Sequence, residues 1–386
     1  MNNRQRFFNI LEGKPIDHTP FFPDLSIWYE NTRKEFGKEV IFGAGKYIPD
    51  NIEFHTRESH LTGQYAKMTC LDYYREYDWG LPVHIADWYV TNYTGGIEVE
   101  EKRMAGKKEI LYKTPKGNLS RCYHLDQDGS WAPFDYLIKK LDDFEILKYI
   151  LSNTVYRLNP EPVEKFLKET DGFGVCDLVI KRSPFGKLIH ENLGFMETIY
   201  ALEDEPSIIE KYLAEQEACD MQLIELAGKS PGSVIILSDH ADENLISPPQ
   251  YKKYCMPYYK KICSYLENKG KYVSTHLDGN IKGYLSFIGN TGFHLLDGCT
   301  PAPMFNYEVE ELRDAIKGKT CCYLGVPASL LTSDKNRQEA LEVGRRIVKA
   351  FHGRVIANIG DIVPINGDIK LVIKVGQEIM NTLFYP

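Results

Sequence analysis

Along most of the chain, short apolar runs rich in β-branched and aromatic residues alternate with longer stretches of helical periodicity, most clearly from residue 172 onward. The runs 173–180 (FGVCDLVI), 233–239 (SVIILSD), 271–276 (KYVSTH), 293–297 (FHLLD), 320–325 (TCCYLG) and 354–360 (RVIANIG) are predicted strands. Between them, 205–228, 247–270, 307–318 and 334–353 carry the helical period. Ser247-Pro248 reads as a cap followed by a first-turn proline, and Gly228, Gly270, Gly318 and Gly353 read as helix stops. The strands are nearly continuous apolar runs, the pattern of a parallel sheet covered by helices. Such βαβα regularity means an open doubly wound sheet or a closed barrel. No GxGxxG follows a strand, which removes the main support for dinucleotide binding.

The N-terminal third breaks the pattern. Residues 97–125 alternate polar and apolar positions around turns at Ala105-Gly106 and Pro115-Lys116-Gly117, and read as two or three antiparallel strands. So short a segment does not hold a core alone. It is expected to be an insertion near a barrel mouth, inside one domain spanning residues 1–386.

Composition narrows the partners. The 386 residues are 43% hydrophobic and 26% charged, with a net charge of −8 and no basic face to neutralise a phosphate backbone, so nucleic acid is not expected. No apolar run approaches the roughly 20 residues needed to cross a bilayer, and the opening MNNRQRFFNILEG has no secretory apolar region; a cytoplasmic protein is expected. Nine cysteines without a CxxC pair read as reduced, buried small hydrophobes, with Cys299 treated separately.

In a parallel α/β architecture the reactive groups gather where strands run into their following loops. Asp24 follows 20–23 (PFFP), with Trp28 and Tyr29 beyond it. Asp239 ends the next such run and leads into His240, Asp242 and Glu243. His276 and Asp278, Asp297 with Cys299, and Asp361 end three further runs. A single aspartate at a strand end more often caps a helix or closes a turn. Their concentration on several strand ends points to a site. His276 and Asp278 project to the same side of an extended backbone. Zinc accepts imidazole, carboxylate and thiolate, so His276, Asp278 and Cys299 form a candidate metal set.

With these residues in place, the chain resembles the uroporphyrinogen decarboxylase superfamily, in its branch of cobalamin-linked methyltransferases. The resemblance runs through 5–23 (QRFFNILEGKPIDHTPFFP), 112–120 (YKTPKGNLS), 183–188 (SPFGKL), 237–262, 276–280 (HLDGN), 300–304 (TPAPM) and 360–364 (GDIVP). It implies a (β/α)8 TIM barrel with an N-terminal extension, the β insertion and the substrate in the mouth. True decarboxylases carry an Arg-rich segment after the first strand. Here that place reads DLSIWYENTRKEFG, with Arg33 as its only arginine, so a substrate of many carboxylates would face an acidic mouth.

The thiol-activating methyltransferases of the group hold zinc with a His-x-Cys pair and a later Cys. Asp278 and Asp361 stand at the matching positions here, and carboxylates suit an oxygen-bound substrate better than a thiol. The resemblance therefore implies demethylation of a small methylated compound, a methoxyaromatic or similar ether favoured. The methyl group passes to the cobalt of a separate corrinoid protein, since no Asp-x-His-x-x-Gly cobalamin-binding pattern occurs. Asp239, His276, Asp278 and Asp361 are the expected catalytic groups, with Asp24, Trp28 and Tyr29 walling the substrate. Zinc is a candidate cofactor, and a homodimer is compatible with this reading. The rival readings are a decarboxylase-like lyase on a carboxylated substrate, with Lys181, Arg182 and Lys187 as its cation supply, and a thiol or amine methyltransferase.

Overall fold

The computed structural model describes residues 1–33, 41, 45–47, 59–316 and 318–384. In chain order its strands are β1 (Leu81–Ile85), β2 (Tyr89–Tyr93), β3 (Glu98–Met104), β4 (Lys107–Thr114), β5 (Gly117–Leu125), β6 (Trp131–Asp135), β7 (Thr154–Leu158), β8 (Gly174–Ile180), β9 (Val234–Leu237), β10 (Tyr272–His276), β11 (Leu295–Cys299), β12 (Cys321–Val326) and β13 (Ile356–Ile359). Strands β1 and β8 to β13 form one parallel sheet in the order β1-β8-β9-β10-β11-β12-β13. Every residue of β9, β11, β12 and β13 is buried, as a sheet covered on both faces requires.

Residues 20–23 close the ring. The Phe22 amide donates to the Ala357 carbonyl at 2.8 Å and the Ala357 amide to Pro20 at 3.1 Å, while the Gly80 amide donates to Phe21 at 2.9 Å. This segment lies between β13 and the start of β1, and supplies the eighth side of a (β/α)8 barrel.

The predicted strands from 173 onward match β8 to β13, with β11 starting two residues late, at Leu295. β1 escaped the hydrophobic pattern because its burial alternates and it contains Pro82. The helix predicted at 205–228 is Pro206–Lys229, which runs through Gly228 instead of stopping there. The 247–270 segment starts at Ser247, whose side chain caps the Gln250 amide, and passes through a π-helical turn at Tyr251–Cys255 before Met256–Glu267. Gly270 then takes a left-handed φ of 71°, as a helix stop does. Strands β3, β4 and β5 pair antiparallel within 97–125, and β6 extends this sheet to four strands; β2 pairs with β7.

Inside the barrel, the end near the strand starts is apolar. Phe7, Ile10 and Leu11 of the helix Asn3–Leu11 pack against Phe22, Val175, Val234, Leu295, Cys321, Tyr323 and Ile356. The N-terminal helix thereby seals that end and leaves the opposite end for chemistry. Gly80 is part of the seal: a Cβ there would lie 2.2 Å from the Phe22 ring. Gly80→Ala should therefore lower stability by about 1–3 kcal/mol through overpacking. Urea denaturation checks this, and an unchanged midpoint would show that Phe22 is free to move aside.

Candidate functional site

Alternation along each strand decides which side chains enter the barrel. Above the apolar seal the inward positions become polar: Asp24 after residues 20–23, His84 on β1, Asp177 on β8, Ser274 and His276 on β10, Asp297 on β11 and Asn358 on β13. Two imidazoles are anchored on carboxylates. His84 Nδ1 lies 2.7 Å from Asp177 Oδ1, and His276 Nδ1 lies 2.7 Å from Asp297 Oδ2. The buried Ser274 Oγ and Asn358 Oδ1 have no hydrogen-bond partner among the described residues and leave hydrogen-bonding capacity inside the barrel. Above them opens a cavity of about 360 Å³, lined by Asp24, His84, Ser238, His240, His276 and Asp361 among others.

With Nδ1 donating to Asp297, His276 turns Nε2 toward the mouth, 3.3 Å from Asp361 Oδ1 and 3.7 Å from Asp278 Oδ2. His240 joins them: its Nδ1 is 2.8 Å from Asp278 Oδ2, and its ring stands edge-on to His276 with centroids 4.7 Å apart. Two features of local backbone allow this. His240 and Asp361 adopt left-handed φ angles of 49° and 62°, a conformation that non-glycine residues keep mainly where surrounding structure imposes it. Gly298, at φ 72°, leaves room for the imidazole, because a Cβ there would lie 2.8 Å from His276.

Burial opposes charge on His276, but Asp361, Asp278 and Asp297 around it raise its pKa well above the usual imidazole value. Burial likewise opposes ionisation of Asp278, while His240 and His276 hold its pKa well below the carboxylate range. Burial would lower His84 too, yet Asp177 pushes it up to about 10. Burial raises Asp24 and Asp177.

The donor atoms of His240, His276 and Asp278 lie within 4.8 Å of one another, the spacing of a metal-ligand set. Two imidazole nitrogens and a carboxylate, with Asp361 beside them, are a donor set that zinc accepts. The Asp297 contact also holds the His276 ring with Nε2 toward the mouth, the nitrogen at which a metal would take the place of a proton.

The expected residues divide. His276, Asp278 and Asp361 come together at the mouth, and Asp24 lines the cavity with Oδ1 accepting from the Ser26 amide at 2.7 Å. Cys299 stands apart: a register shift between Leu296 and Cys299 intervenes, and the thiol is fully buried, 3.8 Å from the Leu296 carbonyl. His240 takes the place expected of it. Asp239 points the other way, fully buried, its Oδ1 accepting from the Ser183 amide and hydroxyl at 2.8 and 3.0 Å and its Oδ2 from the Tyr259 hydroxyl. It ties the loop after β8 to the helix Met256–Glu267. Trp28 and Tyr29 are buried and do not line the cavity; Trp28 packs edge-on to Tyr73 and donates to the Gly367 carbonyl at 3.2 Å. Sequence reading passed over His84 and Asp177 because β1 was missed and Asp177 sits inside a predicted strand. It also singled out Asp239 where the inward phase, set by Val234 and Ile236, runs through Ser238 to His240.

The fold is similar to that of a methyltransferase from Methanosarcina mazei, at a TM-score of 0.56 and 11% identity over 98% of this chain and 99% of that one. It is also similar to a B12-independent methionine synthase from Shewanella sp. W3-18-1 in complex with selenomethionine, at 8% identity over 94% and 96% of the two chains, but with a TM-score of 0.45, too low to argue from. Among curated proteins, none matches the sequence. The strands and loops that carry His240, His276, Asp278 and Asp361 lie within residues 192–372, and that stretch is a uroporphyrinogen decarboxylase (URO-D) family domain.

Proposed function

We propose that the protein is a methyltransferase that takes a methyl group from a small methylated ether, a methoxyaromatic favoured, and delivers it to the cobalt of a corrinoid carried by a separate protein. The observation that carries this reading is the cavity itself. A proton donor, His84, lines one space with His240 and His276, and Asp278 completes an oxygen- and nitrogen-rich donor set with those two. The family match and the fold shared with a methyltransferase support it.

An ether releases its methyl group only if the leaving oxygen is stabilised as the bond breaks. A zinc ion held by His240, His276 and Asp278 would polarise that oxygen. The chain's own contribution is protonation. In the displacement the electron pair of reduced cobalt forms the new bond to the methyl carbon and the C–O pair stays on oxygen. His84, an imidazolium held by Asp177, gives its proton to that oxygen, the alcohol or phenol departs, and solvent reprotonates the ring. Asp297 fixes His276, and the mouth above the cavity is where a partner's corrinoid would enter.

The lyase reading is less favoured. Decarboxylation of a polyanion calls for cations against the substrate, and among the described residues lining the cavity none is lysine or arginine, whereas Asp24 and Asp361 are there.

Mixing the protein with a reduced corrinoid protein and a panel of methoxylated aromatics should produce methyl-cobalt, followed by absorbance. No donor-dependent change across ethers, amines and thiols would sink the methyl-transfer reading. His276→Ala and Asp278→Ala should each lower the rate by about 100-fold or more, and dialysis against a chelator should do the same until zinc is returned. The rate should fall as pH rises through about 10, where His84 loses its proton. Asp177→Asn removes the carboxylate that favours the imidazolium, so this limb should move to lower pH. A limb that stays in place would assign the proton to another group.

A further inference from the structure

Just outside the barrel mouth the charge reverses. Arg121 on β5 and Lys181, Arg182 and Lys187 following β8 gather on one side, against two carboxylates, Glu191 and Asp220. Lys187 and Asp220 form a buried ion pair of their own. Arg121 and Arg182 share Glu191, at 3.5 and 3.2 Å. Burial would raise Glu191, but Arg121, Lys181 and Arg182 hold it at about 2, so it is ionised. Of four cations, two are therefore left without a matching anion.

Donors are left over as well. The Nε atoms of Arg121 and Arg182 are buried without a hydrogen-bond partner among the described residues. Lys181 makes no hydrogen bond or ion pair among the described residues, and Tyr89 beside it pushes its ammonium pKa up against burial. Of these groups, Arg121 and Lys181 meet at a cleft of about 70 Å³ between the insertion strands and the barrel, lined also by Tyr93, Tyr112, Lys187 and Glu191. Burial raises the Tyr93 phenol, which stays a neutral hydroxyl. Positive charge drawn together in a partly desolvated cleft is costly unless an anion offsets it.

We propose that this cleft binds a compact oxyanion, a carboxylate or a phosphate group, gripped by Arg121 of the insertion and Lys181 of the barrel. The space admits such a head group, and charge-assisted bonds from guanidinium and ammonium suit it. The site is separate from the methyl-transfer cavity but close to it. Lys181 and Arg182 follow β8, and His240 follows β9, one strand spacing of about 4.8 Å away. His190 has both Arg182 and His240 in its surroundings; burial, with these two beside it, lowers it to about 4, so it adds no charge. The oxyanion thus comes from one of two sources: the acid end of a ligand whose body lies in the mouth, or free phosphate.

Isothermal titration of the whole chain with inorganic phosphate, 4-methoxybenzoate and uncharged 4-methoxybenzamide tests this without a corrinoid partner, so its outcome is independent of methyl transfer. At least one anion should bind more tightly than the amide. Lys181→Met, which breaks no hydrogen bond or ion pair among the described residues, should weaken it by about tenfold or more. Lys211→Met, which removes a surface charge paired with Glu145, should not. Binding of both anions identifies the oxyanion alone as the ligand, and binding of methoxybenzoate without phosphate identifies the acid end of a larger one. Failure of both anions to bind, equal binding of the amide, or binding undiminished in Lys181→Met would overturn the proposal.

Discussion

A carboxylate taken into a closed barrel has to meet a positive partner or give up its charge, and three of them, Asp24, Asp177 and Asp297, stand inside this one. The His84–Asp177 and His276–Asp297 pairs answer that constraint. Each spends one ring nitrogen on its carboxylate and leaves the other facing the cavity. The need to compensate buried charge thus also fixes two imidazoles in one orientation each, with rings that cannot rotate without stranding an anion. The apolar seal of Phe7, Ile10, Phe22 and Tyr323 below keeps this polar layer dry from the other side.

Charge is sorted by distance from the barrel axis. Carboxylates and imidazoles face the cavity, and Arg121, Arg182 and Lys187, which might have neutralised them, are paired outside it with Glu191 and Asp220. Asp239 belongs to this scaffold: by accepting from Ser183 and Tyr259 it fixes the loop that separates the two zones. A mouth of negative potential discourages polyanionic substrates there, while a small neutral ether meets no such penalty.

The parallel part of the barrel was legible in the sequence because fully buried strands print as unbroken apolar runs. β1 was not, because two of its five side chains are partly exposed and proline interrupts the run. The closing segment 20–23 is legible as a first strand running into Asp24, but its place beside β13 depends on partners more than three hundred residues away, which no local pattern carries. At the site, the ring of strand-end carboxylates points to the face where the cavity opens. Phase then decided the details. One residue separates Asp239, which points away, from His240, which points in, and the left-handed turn at His240 has no apolar signature. Cys299 was placed beside His276 on the assumption of a regular strand, and the irregular register at Gly298 removes it.

That irregularity bears on the chemistry of the donor set. Had β11 continued regularly, a thiolate would have stood next to His276 and drawn the site toward soft ligation. Instead the same glycine that breaks the register makes room for the imidazole, and the ring finds oxygen on every side: Asp297 behind, Asp278 and Asp361 ahead. The resemblance to the thiol-activating methyltransferases implies thiolates at the positions where this chain has Asp278 and Asp361. A metal held by nitrogen and carboxylate oxygen keeps more of its charge than one held by sulfur, and so polarises a bound oxygen more strongly. Under the proposed function that difference matters most for an ether, whose leaving group is poor. Within that proposal, carboxylates at positions 278 and 361 and the turn of Cys299 out of reach act in the same direction, since both leave oxygen and nitrogen as the donors around His276.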